Sequence, residues 1–362
     1  MKTIAHVVGA RPNYMKIAPL MGALRNGSIL HQVLVDTGQH YDDSMARAFV
    51  RDLALPAPDH ALGVGSASHA VQTARVMIEF EKVCVAERPD LVVVVGDVNS
   101  TLAAALVATK LLIPVAHVEA GLRSRDRTMP EEINRIVTDS IADLLLTPSC
   151  DASENLLAEG VPAAKIHLVG NIMIDSLLQH LPLAQLARVR DRIPVDEHRY
   201  AVLTLHRPSN VDDEGVFRRI LTAVADIAGH LPVVFPVHPR TRDRLCQFGL
   251  DRVAGKLILT EPLGYIDFLS LTSHARLVLT DSGGLQEEST ALGIPCLTLR
   301  DNTERPITVT QGTNCVVGSD PDAILAGFWK AYSSPAPAAR PDLWDGRTAG
   351  RIADVLRQFL SL

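Results

Sequence analysis

The chain has 362 residues, 47% apolar and 21% charged, with a formal net charge of -6 and a sequence pI of about 6.1. That length predicts two domains. Glycine (23) and proline (22) stand near average usage, which excludes collagen-like and linker-like chains. The acidic balance lacks the basic footprint of a nucleic-acid binder, and 4% aromatics argue against a stacking platform for single strands.

The opening MKTIAHVV reads as a β-strand, too short for a membrane span and without a small-residue cleavage site. Short β-branched runs then alternate with helical patterns, as in parallel sheets covered on both faces. Strands are predicted at Thr3–Val8, Gln32–Asp36, Leu91–Val95, Pro114–Val118, Leu144–Thr147 and Ile166–Leu168, with helices at Thr101–Leu111 and Glu131–Ile141. The best apolar run, Leu102–Val118, is broken by Lys110. A helical hinge is expected over Asn171–Val195. The second half repeats the plan, with strands at Tyr200–Leu205, Val233–Val237, Leu257–Leu259, Leu277–Thr280 and Cys296–Leu299. Its helices are predicted at Gly215–Gly229, Tyr265–Thr272 and Leu285–Leu292. A Pro- and Ala-rich segment, Ser333–Pro341, precedes a last helix at Gly350–Leu360. The expected fold class is α/β, two Rossmann-like αβα domains facing a central cleft. The expected division is 1–172 joined by 343–362, and 173–342.

Five scattered cysteines (Cys84, Cys150, Cys246, Cys296, Cys315), odd in number and never in a C-x-x-C pair, argue against a disulfide framework and a structural zinc site. A cytoplasmic protein without membrane or nucleic-acid partners is the expectation.

In open α/β sheets ligands bind beyond the carboxyl ends of the strands, and polar residues gather at those ends here. Arg11 and Lys16 follow the first strand, Asp97 the third and Glu119 the fourth; His206, His238 and Asp281-Ser282-Gly283-Gly284 follow strands of the second half. Asp281–Glu288 ends a strand and opens a helix, so its free N–H groups suit a diphosphate, with Ser282 able to cap. The plainer reading is an ordinary capped helix. Arg305 offers a bidentate donor to phosphate or carboxylate, although a single arginine is more often in a surface salt bridge. Asp97 and Glu119, on neighbouring strands, could act as base and acid. Alternatively Asp97 caps the next helix and Glu119 pairs with Arg123. Thr128-Met-Pro-Glu131 reads as a capping box, yet Glu131, Asn134 and Arg135 share a helix face that could line the cleft. Neither histidine has a metal-ligand spacing partner, so no metal is predicted. No Walker A loop, G-x-G-x-x-G after the first strand or G-x-S-x-G elbow occurs.

These residues resemble the non-hydrolysing UDP-N-acetylglucosamine 2-epimerases. The matching motifs are GARPNYMKIAPL (9–20), DTGQHYDDSM (36–45), VVGDVNSTLAAALVATKLLIPVAHVEAGLRS (94–124) and MPEEINRIVTDSIADLLLTPS (129–149). They continue with VGNIMIDSL (169–177), LTLHRPSNV (203–211), FPVHPRTR (235–242) and TDSGGLQEESTALGIPCLTLRDNTERPITVTQGTN (280–314). The resemblance implies a GT-B-like pair of Rossmann domains, a homodimer, and interconversion of UDP-GlcNAc and UDP-ManNAc through 2-acetamidoglucal without a cofactor. It assigns Asp97, Glu119 and Glu131 as essential carboxylates, without saying which takes the C2 proton, and His206 to the leaving group. Arg11, Lys16, Ser282, Gly283, Gly284, Glu288 and Arg305 match UDP-binding positions, with Glu288 on the ribose and Phe268 beside the uracil.

Two departures stand out. Gln39-His40-Tyr41-Asp42 and His206-Arg207-Pro208-Ser209 lack side chains of the family's activating second-ligand site, so that regulation is not expected. Asn13-Tyr14 stands where Glu-Ala is frequent, which leaves the sugar substituents at C3 and C6 open. A 2,3-diacetamido uronate 2-epimerase, a hydrolysing 2-epimerase and a GT-B glycosyltransferase are the alternatives.

Overall fold

The computed structural model describes residues 1–25, 30–38, 55–333 and 340–362. The readings at Gln39–Asp42 and most of the Ser333–Pro341 segment lie outside them. The chain divides into two compact units, Met1–Leu178 with Asp342–Leu362, and Gln179–Pro341.

The first unit runs β1 (Lys2–Val8), α1 (Arg11–Arg25), β2 (Leu30–Asp36), β3 (His60–Ala61), α2 (His69–Glu87), β4 (Leu91–Val95), α3 (Asn99–Lys110), β5 (Val115–Val118), α4 (Pro130–Ile141), β6 (Leu144–Thr147), α5 (Cys150–Ala158) and β7 (Ile166–Leu168). Helix α6 (Ile172–Leu186) leads into the second unit. The strands form one parallel sheet in the order β3-β2-β1-β4-β5-β6-β7. The LVVVV run of β4 is buried throughout, as a central strand covered on both faces must be. The order reverses between β1 and β4, and the loops after these two strands open there.

The second unit contains α7 (Val189–Arg192), β8 (Ala201–Thr204), α8 (Pro208–Val211), α9 (Glu214–Ala228), β9 (Val233–Pro236), α10 (Pro239–Gln247), α11 (Asp251–Ala254), β10 (Ile258–Thr260), α12 (Tyr265–Ser273), β11 (Leu277–Thr280), α13 (Gly283–Leu292), β12 (Cys296–Thr298), α14 (Ile307–Thr310), β13 (Asn314–Val316) and α15 (Pro321–Ser333). Its parallel sheet has the order β10-β9-β8-β11-β12-β13, reversing between β8 and β11. Helix α9 shows why the pattern folds this way. Asp213 caps it by accepting from the Val216 N–H at 2.8 Å, and Phe217, Ile220, Leu221, Val224 and Ile227 form one buried stripe.

The last helix, α16 (Thr348–Phe359), packs in the first unit. Asp175 accepts from the Thr348 and Ala349 N–H groups at 3.2 and 2.8 Å, the Trp344 indole donates to the Pro148 carbonyl at 3.1 Å, and Arg357 donates to the Ala23 carbonyl at 2.9 Å. The Asp175 carboxylate thus satisfies two of the orphan donors at that helix start.

The two-unit α/β class is the expected one, and no described helix is long and apolar enough to cross a membrane. The expected strands are present within one or two residues at their ends, while β3, β13 and helices α2, α5, α10 and α15 are among the elements outside the expected set. Helix α2 buries the stripe Gln72, Val76, Phe80, Val83 and Cys84, but exposed Val71, Ile78 and Val85 and a buried glutamine blur that stripe in the sequence. The capping box at Thr128 does not form: Met129 is the N-cap residue, and the Thr128 hydroxyl donates to Asp126.

Candidate active site

In the first unit the candidate groups gather around the Gly96 turn, where β4 ends. Lys16, on the second turn of α1, forms a buried ion pair with Glu119 at the end of β5. Gly96 makes room for it. Its φ is +68°, and a Cβ there would lie 3.0 Å from Lys16 Nζ and 3.4 Å from Glu119 Oε2. Glu119 itself has φ +71°, a left-handed backbone that costs a non-glycine residue about 1–3 kcal/mol and that clusters at functional sites.

Asp97 follows Gly96. Arg135 Nε and Nη2 both donate to its Oδ2, at 3.0 and 2.7 Å, and the Asn134 amide donates to its carbonyl at 2.8 Å. Arg135 is fully buried, and its Nη1 donates to Glu132 at 2.6 Å. Glu132 also accepts from the Ser124 N–H and hydroxyl and from the Arg125 N–H, at 2.8, 2.9 and 3.0 Å. A carboxylate with this many donors is a fixed anchor, so Glu132 holds Arg135, and Arg135 holds Asp97.

The N-cap residue of α3 is Val98, and the side chain of Asp97, one residue before it, is engaged by Arg135. The plainer reading of Glu119 is corrected. Glu119 does not pair with Arg123, whose guanidinium reaches Asp139 at 2.7 Å and Glu159 at 2.8 and 2.7 Å instead. Glu131 is half-buried in the first turn of α4 and forms no hydrogen bond or ion pair among the described residues.

Asn13, one of the departures, is a structural tie. Its Oδ1 accepts from the Gly9 and Ala10 N–H groups at 3.1 and 3.0 Å, and its Nδ2 donates to the Val95 carbonyl at 3.1 Å. It clamps the end of β1 to the end of β4. Tyr14 is buried; burial and then the Asp36 carboxylate push its phenol well above the usual range. Arg11 opens α1.

In the second unit the centre is Asp281, at the end of β11. It is fully buried and accepts from the backbone N–H groups of His206 and Arg207, both at 2.9 Å. Its Oδ1 lies 2.8 Å from His206 Nδ1. Burial raises its pKa, but the His206 contact and the backbone donors outweigh that and hold it below the usual carboxylate range. The His206 side chain is 48% exposed, so one edge of the ring is braced and the other is open to a ligand.

Ser282 occupies the N-cap position of α13, but its side chain makes no capping bond, contrary to expectation; its N–H donates to Thr280 Oγ1 at 2.9 Å. Gly283 allows a close approach: a Cβ would sit 2.5 Å from Arg305 Nη1 and 2.6 Å from Glu304 Oε1. Gly284 faces open space. Arg305 pairs with Glu287 at 2.7 Å and Glu304 at 2.6 Å, and Glu304 also meets Arg300 at 2.8 Å and Arg207 at 3.6 Å. This interior lattice of three arginines and two glutamates stiffens the start of α13.

Glu288 lies deeper in α13. Burial, and next the neighbouring Glu287, push its carboxyl up to about 8, against an opposing hydrogen bond from Tyr265. Phe268 is partly buried and packs against two core clusters, one containing Leu271 and the other Leu285 and Ile294. His238 has the ordinary role: it is the N-cap of α10 and accepts from the Arg240 N–H at 3.3 Å. Sequence reasoning passed over Glu132, Arg300 and Glu304. Glu132 and Glu304 stand beside Glu131 and Arg305, in PEE and TERP, and adjacency is their only signal; Arg300 has no such neighbour.

A family profile described as UDP-N-acetylglucosamine 2-epimerase matches residues 22–357. The UDP-N-acetylglucosamine 2-epimerase of Methanocaldococcus jannaschii is 45% identical, over 97% of this chain and 97% of its own. That of Methanococcus maripaludis is 42% identical, over 98% of each chain. Among solved structures, the M. jannaschii UDP-GlcNAc 2-epimerase in complex with UDP-GlcNAc and UDP superposes with a TM-score of 0.91 at 41% identity, covering 98% of this chain and 99% of that one. With the same α/β units and nearly full-length matches, the chain belongs to the UDP-N-acetylglucosamine 2-epimerase family.

Proposed function

We propose that the chain interconverts UDP-N-acetylglucosamine and UDP-N-acetylmannosamine. A carboxylate takes the proton from C2, and the C1–O bond breaks with its electron pair leaving on the diphosphate of UDP. The resulting 2-acetamidoglucal has a C1–C2 double bond. Re-addition of UDP at C1, with protonation of C2 from the other face, completes the inversion.

The observation that carries this reading is the Gly96 turn, where a buried Lys16–Glu119 pair adjoins an Asp97 held by Arg135. An unactivated C–H demands a fixed base, and a second acid must serve the opposite face. Asp97, Glu119 and Glu131 are our candidates for these two tasks. His206, braced by Asp281, is assigned to the departing diphosphate, where a donor stabilises the developing charge. Arg11, Lys16, Arg305, Ser282, Gly283 and Gly284 are assigned to UDP, Glu288 to the ribose hydroxyls and Phe268 to the uracil. We place the carboxylate chemistry in the first unit, and UDP recognition in the second with Arg11 and Lys16 added from the first. A homodimer in the cytoplasm is the expected setting; the five cysteines are free thiols, as a reducing compartment requires.

The test is incubation with UDP-GlcNAc in deuterated water. Deuterium at C2 and UDP-ManNAc are the expected products, and Asp97→Asn should still bind UDP while losing exchange by at least about 100-fold. Unlabelled substrate would refute the assignment. Free sugar would indicate a hydrolysing enzyme, and label only in a 2,3-diacetamido uronate nucleotide would move the substrate to that class.

A further inference from the structure

His117 is fully buried in β5, two residues before Glu119, and has no part in the reaction as assigned above. Its Nδ1 lies 2.6 Å from Asp139 Oδ1 and its Nε2 lies 2.8 Å from the Gly96 carbonyl oxygen. A neutral imidazole carries one N–H and one lone pair, so it can donate to only one of these. The other contact would then press two lone pairs together in a dry interior.

Neither partner can supply the missing proton. The Gly96 carbonyl only accepts. Asp139 is held as a carboxylate, because the Arg123 guanidinium that donates to its Oδ2 at 2.7 Å, beside the Gly121 N–H at 3.1 Å, favours the charged form over a proton on Oδ1. Both ring nitrogens must therefore carry hydrogen. The positive ring faces Asp139, Arg123 faces both Asp139 and Glu159, and the four charges cancel.

The Gly96 carbonyl belongs to the peptide that leads into Asp97. That peptide is planar, so fixing its C=O also fixes the Asp97 N–H on the opposite side. The Gly96 N–H is itself pinned to the Val118 carbonyl at 3.1 Å, and the Glu119 N–H to the Leu146 carbonyl at 3.0 Å. Strand β5 thus governs two candidate carboxylates: it carries Glu119 directly and grips the Asp97 turn through His117.

We propose that His117 is a positioning residue, held as an imidazolium by Asp139, that sets the Gly96–Asp97 turn for abstraction of the C2 proton. The claim rests on the epimerase reading for its consequence, but not for the charge state of the ring.

Nitrogen-15 NMR of the ring and steady-state kinetics of His117→Gln test it together. Glutamine is neutral and carries both its N–H donors on one nitrogen, so it cannot present a donor from each of two separate atoms as Nδ1 and Nε2 do. The wild-type ring should show two protonated nitrogens at neutral pH, and Asp139→Asn should convert it to a neutral tautomer. His117→Gln should lower kcat for C2 exchange by about 100-fold, the scale of a roughly 1 Å misplacement, with KM within about twofold. An unprotonated ring nitrogen in the folded wild type overturns the proposal, as does a folded His117→Gln protein with full kcat. Should that variant not fold, the wild-type ring signals and the hydrogen-exchange protection of the Asp97 amide in Asp139→Asn decide. A wild type that shows two ring N–H groups but no exchange would count against the epimerase reading alone.

Discussion

Glu288 makes the stability of the second unit depend on pH in a direction opposite to most carboxylates. Its carboxyl is pushed from 4.5 to about 8, first by burial and then by Glu287, so the folded chain keeps a proton that the unfolded chain has released. Stability from this group is fully present below about 4.5 and is lost as pH rises through about 8. Between those values folding takes up one proton, and stability falls by about 1.4 kcal/mol per pH unit, or about 5 kcal/mol in total. Glu288→Gln replaces the neutral carboxyl by a neutral amide of the same shape. It should match the wild type near the acid limit and exceed it progressively, by about 5 kcal/mol at the alkaline end. Urea titrations of both proteins at several pH values across that window read the difference directly. Parallel stability curves would refute the argument, because they would mean that Glu288 ionises alike in the folded and unfolded chains. A protonated Glu288 also offers ribose one donor and one acceptor, as glutamine does, so UDP affinity should survive this substitution at neutral pH.

Other substitutions separate roles that the sequence alone runs together. Lys16→Met removes a cation from beside the buried Glu119 and should cost about 3–5 kcal/mol in urea denaturation, whereas adding Glu119→Gln should recover much of that loss. Gly283→Ala drives a methyl group into the Arg305–Glu304 pair and should destabilise by about 1–3 kcal/mol while weakening UDP binding about tenfold in calorimetry. Gly284→Ala meets open space, so its stability should stay within about 0.5 kcal/mol of wild type. Any loss of UDP affinity there would then report the ligand itself.

Sequence patterns exposed the sheets well because parallel strands are buried on both faces. Leu91–Val95, Leu144–Thr147 and Leu277–Thr280 are apolar throughout save a last threonine in the latter two, and their expected bounds match to the residue. The two-residue β3 offers too few side chains for any periodicity, and α2 exposes Val71, Ile78 and Val85 beside its buried stripe. Residues at strand ends could be nominated one at a time, since the chain order of an α/β fold places strand ends in a row. Their pairings could not. Arg123 is four residues from Glu119 in sequence, yet the turn through Gly121, at φ +82°, sends it to Asp139 and Glu159 instead. Lys16 reaches Glu119 from 103 residues away because β1 and β5 both flank β4. Long-range ion pairs follow from sheet order, which local patterning does not encode.

Local surroundings also explain why the three candidate carboxylates can be given different work. Glu119 has a lysine beside it and almost no contact with water; Asp97 has an arginine on one oxygen and is 27% exposed; Glu131 is half-buried without an ion pair among the described residues. A reaction that removes a proton from one face and returns one to the other needs groups whose surroundings differ, because two identical carboxylates would bind protons equally well. The cations that create the difference are fixed from behind: Arg135 by Glu132, and the Gly96 turn by His117 and Asp139. Substituting these supporting residues should therefore alter the rate of C2 exchange more than the affinity for UDP, whereas substituting Gly283 or Arg305 should do the reverse. A series in which every variant lost both in equal measure would mean that this division of labour is not real.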